Sequence, residues 1–207
     1  MIYLFSSSKY DDVLSMPIIE FKTLQDSIDL SNYDLLLFTS KNAVVLMDEI
    51  SKEWKNIPSI AIGKESAEAI SKLGGNVTFV SNGYSENLSY DIKQKFANKK
   101  ILYIRPKVVA TKHITDLTKE NIDIDEFILY ETICKKYDIS QKPPLNSVLI
   151  FTSPSTIECF INNFKSLEEY KIVVIGETTA KALPQEIKYH ISNTPNINEC
   201  IKLALKL

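Results

Sequence analysis

Only two histidines, His113 and His190, and three cysteines, Cys134, Cys159 and Cys200, occur in 207 residues. They are too few and too far apart, with no C-x-x-C pair, for a zinc or iron centre of ordinary ligand spacing. The cysteines are odd in number, widely spaced and without a neighbouring histidine, and are read as reduced thiols that fill space. His113 shares a helical stripe with Ala110, Ile114 and Leu117 and reads as a packing residue. Glycine is scarce as well: five glycines and eight prolines leave no room for long flexible linkers or low-complexity segments. No G-x-G-x-x-G exists, and Gly63-Lys64-Glu65-Ser66 imitates the tail of a phosphate loop without a glycine five positions earlier, so the glycine-rich nucleotide cradles are excluded. No apolar run approaches the ~18 residues of a membrane span. The N-terminus enters a strand pattern at once, without the charged and apolar regions of a signal peptide. Together these predict a cytoplasmic protein with no membrane partner. There is no excess of one charge either: 24 Lys and Arg oppose 26 Asp and Glu, for a net charge of −2. Nothing in that balance draws nucleic acid, and an anionic ligand has to be held by local groups.

What is present is a stretch that occurs twice. Leu35-Leu36-Leu37-Phe38-Thr39-Ser40 is followed by Ile60-Ala61-Ile62-Gly63, and Val148-Leu149-Ile150-Phe151-Thr152-Ser153 by Val173-Val174-Ile175-Gly176. In both copies the Phe of the FTS triplet precedes the Ile of the Ile-Gly pair by 24 positions. An apolar run of strand length that stops at hydroxyl residues or glycine, followed by a helical pattern, is how a parallel βαβ unit reads. The length suits two lobes of roughly 100 residues, and the prediction is a duplicated α/β protein.

Along the chain, Ile2 to Phe5 and Met16 to Phe21 read as strands with too short a connection for a crossover helix. Leu35 to Phe38 is a buried strand capped into a helix by Ser40, with Ala43, Leu46, Met47 and Ile50 on one face. Ser59 to Ile62 is the next strand, and its helix, with Ala67, Ile70 and Leu73 inward, stops at Gly74-Gly75. Asn76 to Val80 is a strand, and Ser85-Glu86 opens a helix through Leu88, Ile92 and Phe96. Ile101 to Arg105 echoes the N-terminal strand and restarts the repeat, with a helix running to Leu117. Phe127 to Cys134 is extended and, with Met16 to Phe21, is the expected connection between lobes. The second FTS opens a helix with Pro154 at its first position. After Ile175-Gly176 come a short helix ending near Leu183, a strand over Tyr189 to Ile191, and a terminal helix striped by Ile197, Cys200, Ile201, Ala204 and Leu205.

Parallel α/β sheets bind ligands beyond the carboxyl ends of their strands, where helix N-termini gather. Here those ends are Ser6 to Lys9, Thr39 to Asn42, Gly63 to Ser66, Arg105 to Lys107, Thr152 to Thr156 and Gly176 to Thr179. Nearly all of these residues carry a hydroxyl, are glycine or are basic. Free backbone N–H groups and helix dipoles favour an anion by about 0.3–1 kcal/mol per end. Taken singly, Ser40, Ser66, Ser153 and Thr178 are better explained as helix caps.

The ordered set Leu35 to Val44, Ile60 to Ala67, Leu129-Tyr130-Glu131-Thr132, Phe151 to Ser155, and Ile175 to Leu183 resembles the uroporphyrinogen-III synthase family over nearly the whole chain. The resemblance implies two flavodoxin-like parallel α/β lobes joined by a two-stranded β linker. Residues 1–17 plus 132–207 would form lobe one, 23–127 lobe two, and 18–22 and 128–131 the linker strands, with the active site in the cleft between lobes. It further implies that a linear tetrapyrrole, hydroxymethylbilane, is cyclised with loss of water and inversion of its last ring. The family uses no cofactor or metal, and a monomer is expected here. Tyr130, in the family's Tyr-x-Thr position, is the expected general acid or hydrogen-bond donor at the leaving hydroxyl, on a half-buried linker strand. Ser40, Ser66, Glu86, Ser153, Thr178 and Thr179 stand where relatives line the cleft and hold the substrate's acetate and propionate carboxylates. Relatives often carry an arginine where this chain has Ser7 and another where it has Ala110. Lys9, Arg105, Lys107 or Lys112 are the candidate replacements. The alternative is a non-catalytic, two-lobed anion-binding or regulatory module of the same fold.

Overall fold

The computed structural model describes residues 1–81, 88–109 and 122–207. The chain divides into two compact units, Met1–Glu20 with Thr132–Leu207, and Phe21–Glu131. The expectation of paired parallel α/β sheets is met in both. The chain opens with β1 (Ile2–Leu4) and β2 (Leu14–Ser15), then crosses by β3 (Ile19–Thr23) into the second unit. That unit runs β4 (Leu35–Phe38), α1 (Lys41–Ile50), β5 (Ser59–Ile62), α2 (Lys64–Lys72), β6 (Val77–Ser81), α3 (Leu88–Phe96) and β7 (Ile101–Pro106). β8 (Ile124–Cys134) returns the chain to the first unit, where β9 (Val148–Phe151), α4 (Pro154–Phe164), β10 (Lys171–Val174), α5 (Glu177–Ala180), β11 (Tyr189–Ile191) and α6 (Ile197–Ala204) follow.

The first unit's sheet has the order β11-β10-β9-β1-β2, and every pairing in it is parallel. The second sheet has the order β3-β8-β7-β4-β5-β6, parallel from β8 to β6. Each sheet reverses direction once. β9, β10 and β11 step away from β1 on one side while β2 flanks it on the other. β5 and β6 step away from β4 while β7 and β8 lie on its other side. The switch points are therefore β1/β9 and β4/β7, and ligands of open α/β sheets bind outside the strand ends at such points.

The apolar runs explain the layers. All four residues of β4 and of β9 are buried, and alternate residues feed opposite faces. Leu36 and Phe38 join Leu102 and Ile104 in a core with Val44, Met47, Trp54 and Ile70, whereas Leu35 and Leu37 join Ile101, Tyr103, Ile60 and Ile92 on the other side. In the first unit Phe5, Phe151, Phe160 and Phe164 form one core and Leu4, Ile150, Val173 and Cys200 the other. Phe5 stacks on Phe151 with ring centroids 4.7 Å apart. Gly75 is dictated by the closeness of the Trp54 indole: a Cβ there would come within 2.3 Å of Trp54 Cζ3.

Three expectations need correction or relocation. The strand expected over Met16 to Phe21 begins only at Ile19, as β3, which enters the other sheet, while the short β2 just before the expected stretch pairs with β1. Pro17 stands between them, and without an N–H it cannot continue a ladder. The reading of all three cysteines as reduced is overturned for two of them, because Cys134 at the end of β8 is bonded to Cys159 in α4. Their Cα atoms are 5.1 Å apart across a sequence separation of 25, a proximity that only the fold creates. Cys200 alone is free, and it is buried. The helix expected from about residue 110 to 117, with His113 and Lys112, and the helix start at Ser85-Glu86 lie outside the described residues.

Candidate active site at the strand ends

The second unit's switch point is built from the FTS triplet that ends β4. Ser40 is extended at φ −151° and its hydroxyl accepts the Asn42 N–H at 3.1 Å, capping α1. That satisfies one of the donors that a helix start leaves free, while the remaining amides and the dipole point out of the strand end. Tyr130 on β8 lies on the same face of the sheet as Phe38, with the Ser40 hydroxyl beside its phenol. Burial pushes the Tyr130 phenol above its ordinary range, and the Ser40 hydroxyl pulls it partly back. The phenol is therefore protonated at neutral pH. Tyr130 is 3% exposed and packs edge-on against Phe21 at 5.5 Å. Of the two groups, Ser40 is the one at the surface, only partly buried.

The basic residues at the β7 end are engaged. Arg105 donates from Nε and Nη2 to Glu126 Oε2 at 2.8 and 2.7 Å, and from Nη1 to the carbonyls of Pro106 and Lys107 at 2.8 and 3.2 Å. It clamps the β7 and β8 ends together. Lys107 pairs with Glu131 at 3.0 Å but is mostly exposed. An exposed pair of this kind is worth about 0–1 kcal/mol, so the ammonium exchanges partners at little cost. Ser66 is 3% exposed, in the first turn of α2 after Gly63, and is turned inward rather than offered to a ligand. Gly63 has φ +81°, a conformation that favours glycine.

In the first unit, Ser153 precedes Pro154 and its backbone N–H donates to Thr156 Oγ1 at 3.3 Å, while the two hydroxyls of Ser153 and Ser155 lie 3.0 Å apart. Ser6, at the neighbouring end of β1, accepts the Ser8 N–H on its hydroxyl at 3.2 Å and the Ser15 hydroxyl on its carbonyl at 2.5 Å. Gly176 opens α5, where Thr178 is exposed and Thr179 is 2% exposed. The structure thus gathers Ser40, Arg105, Lys107 and Tyr130 in one unit and Ser153, Thr178 and Thr179 in the other. Glu86 lies outside the described residues. Sequence reasoning placed Thr39 only within the strand-end stretch Thr39 to Asn42, and missed Tyr103, Glu126 and Glu131. Tyr103 lay in the strand before Arg105, so a signal existed for it.

Among the described residues no cluster of three or more His, Cys, Asp or Glu could hold a metal, and no helix is long and apolar enough to cross a membrane. An open groove along α2 and β6, lined by Lys64, Ala67, Glu68, Ser71, Lys72, Val77 and Val80, includes none of the expected site residues.

Two parallel α/β units, each ending its switch-point strands in hydroxyl-bearing residues with no glycine-rich nucleotide loop, define a duplicated α/β protein. The chain belongs to the uroporphyrinogen-III synthase family, whose model, described as uroporphyrinogen-III synthase HemD, matches residues 11–202. Its structure is similar to that of uroporphyrinogen-III synthetase from Helicobacter pylori 26695, with a TM-score of 0.84 and 28% identity over 99% of this chain and 98% of that one. A mutant uroporphyrinogen III synthase from the extremely thermophilic bacterium Thermus thermophilus shares the fold, at a TM-score of 0.53 and 14% identity over 94% of this chain and 89% of that one. No curated protein sequence matches the chain.

Proposed function

We propose that the chain is a uroporphyrinogen-III synthase, a lyase that closes hydroxymethylbilane to uroporphyrinogen III with inversion of the last ring and loss of water. The observation that carries this reading is the family match over residues 11–202. The electron-rich pyrrole expels its own hydroxyl once the group is hydrogen-bonded, so the protein's work is to bend the chain and decide which carbon attacks. In this reading the leaving oxygen accepts a hydrogen bond from Ser40, whose hydroxyl is backed by the Tyr130 phenol. The raised phenol pKa suits a donor that stays protonated better than one that gives its proton away. The hydroxyl departs with its electron pair as hydroxide held by the Ser40 hydrogen bond, leaving a pyrrole-stabilised cation. The proton shed when the attacked ring regains aromaticity after closure balances it, so that one water is lost overall.

The acetate and propionate carboxylates of the substrate are assigned to Ser153, Thr178, the free amides of α1 and α4, and Lys107 released from Glu131. Arg105, with its guanidinium bound to Glu126 and two carbonyls, contributes positive charge and strand-end rigidity. Ser66 and Thr179, both buried, support the turns that aim the amides. No cofactor, nucleic acid or membrane enters the reaction, and the working form is proposed as a monomer, which sedimentation at the mass of one chain would verify. The cytoplasm is the proposed compartment. The Cys134–Cys159 bond pulls against that placement, because cytosolic thiols are generally kept reduced. Thiol counting on protein from rapidly quenched cells decides it.

A non-catalytic anion-binding module of this fold is the second reading, favoured by the pairing of both Arg105 and Lys107 with carboxylates. Freshly prepared hydroxymethylbilane separates the two readings. The enzyme gives the type III isomer, whereas a binding module leaves only the type I isomer that forms spontaneously.

A further inference from the structure

Alternation along β4 puts Thr39 and Ser40 on opposite faces of the sheet at the switch point. A tyrosine comes to each from its own side. Tyr130 lies in the core shared with Phe38, and Tyr103 in the core shared with Leu37. Tyr103 is opposite Leu37 in the β4–β7 register, and its side chain reaches along the strand until its hydroxyl is 3.3 Å from Thr39 Oγ1. The ring is 1% exposed among Leu35, Leu37, Ile60, Ile92 and Ile101. A phenylalanine would fill that space equally well, so the added oxygen is a buried polar group that needs a partner. Thr39 supplies one and is itself only partly buried, at the rim.

We propose that Tyr103 is a positioning residue: its hydroxyl, 3.3 Å from Thr39 Oγ1, fixes Thr39 so that Thr39 presents one oriented hydroxyl to a carboxylate of the tetrapyrrole. The inference rests on the synthase reading above and adds a residue to its binding rim. Burial keeps the Tyr103 phenol protonated, above its ordinary range, with the Thr39 hydroxyl lowering it only in part. The protonated phenol has a hydrogen to give; with the phenol as donor to Thr39 Oγ1, the threonine's own hydrogen is free to point outward. Without the phenol that hydroxyl turns among its three staggered positions, and ordering it again costs affinity.

The test compares Tyr103→Phe, Thr39→Val, Thr39→Ser and the double variant Tyr103→Phe/Thr39→Val. KM and kcat are measured for hydroxymethylbilane, and Kd for uroporphyrin III as a stable polycarboxylate probe. Loss of one neutral hydrogen bond corresponds to about 2–10-fold in affinity. Tyr103→Phe should raise KM and Kd within that range, with kcat falling less than KM rises. Thr39→Val should do the same, Thr39→Ser should recover most of that loss, and the double variant should be no worse than Thr39→Val alone. A merely structural phenol would lower the melting temperature and leave KM and Kd in place. Unchanged Kd in Tyr103→Phe, or an equal further loss on the Thr39→Val background, overturns the proposal. If the wild type makes no type III isomer, the synthase reading fails while the uroporphyrin titrations still decide Tyr103. A wild type that does not bind uroporphyrin III overturns both.

Discussion

Replacing Cys134 and Cys159 together by alanine removes a bond that closes a 25-residue separation between the end of β8 and α4. Chain-entropy reasoning assigns such a loop a stabilisation of about 3.5 kcal/mol at 25 °C, by restricting the unfolded state. The folded neighbourhood survives the change, because Asn163 independently ties α4 to the same segment, accepting the Tyr137 N–H at 3.0 Å and donating to the Lys135 carbonyl at 2.9 Å. The effect is therefore on stability and not on architecture. The one tryptophan, Trp54, belongs to the other unit, so its fluorescence is the wrong probe. Cys200 is the right one: it is fully buried in the unit that contains the bond, and it is the only thiol in both the oxidised wild type and the double variant. Its alkylation rate in sub-denaturing urea measures opening of that unit. Protection should fall by a few hundred-fold, roughly the equivalent of 3.5 kcal/mol. Identical protection in the two proteins, or three thiols titrating in unreduced denatured wild type, would refute the reasoning.

Other perturbations bear on the second unit. Gly75→Ala drives a methyl into the Trp54 ring and to 2.9 Å from Ile70 Cγ2. The indole is held by its N–H bond to Asp48 at 3.1 Å, so the cost is expected at about 1–3 kcal/mol by urea titration of Trp54 fluorescence. No change in midpoint would mean that the ring moves aside freely. Asp48 is subject to a burial effect that would raise its pKa, but the Lys52 and Lys55 ammonium groups and the Trp54 N–H outweigh it and hold the carboxyl at about 2, below its ordinary 3.8. A depressed carboxylate contributes stability above the unfolded value and loses it as pH falls towards the folded one. The stability gap between wild type and Asp48→Asn should thus be full above pH 4 and close between pH 4 and 2; a pH-independent gap would contradict the assignment. Tyr130→Phe should lower kcat by at least ten-fold with the fold intact by circular dichroism, and unchanged turnover would remove Tyr130 from the chemistry.

The strand-and-helix skeleton was legible because both buried central strands are uniform apolar runs that end in the same triplet, and because Ser40, Gly74 and Pro154 mark helix ends in the ordinary way. Periodicity could not place the strand ends around Pro17, since an apolar stretch there reads the same whether it pairs with one sheet, as Leu14–Ser15 does, or passes to another, as Ile19–Thr23 does. The Cys134–Cys159 bond was illegible for a related reason. Their separation has no motif, and their closeness depends on where β8 rejoins the first unit. At the site, residue types at the strand ends identified Ser40, Ser153 and Thr178 as rim groups. Which side chains turn inward, as Ser66 and Thr179 do, or spend their charge on neighbours, as Arg105 does on Glu126, depends on three-dimensional partners that spacing does not encode. Tyr103 was overlooked because a tyrosine within an apolar strand looks like core until the position of its oxygen is known.

The proposed synthase function requires the strand-end hydroxyls and amides of each unit to engage the tetrapyrrole. Backbone hydrogen exchange measured residue by residue, with and without saturating uroporphyrin III, tests this most directly. Slowed exchange at residues 41–44 at the start of α1 and, in the same complex, at 155–157 and 178–180 at the starts of α4 and α5 is the predicted result. Slowing confined to one unit, or absent from these helix starts, would contradict the account.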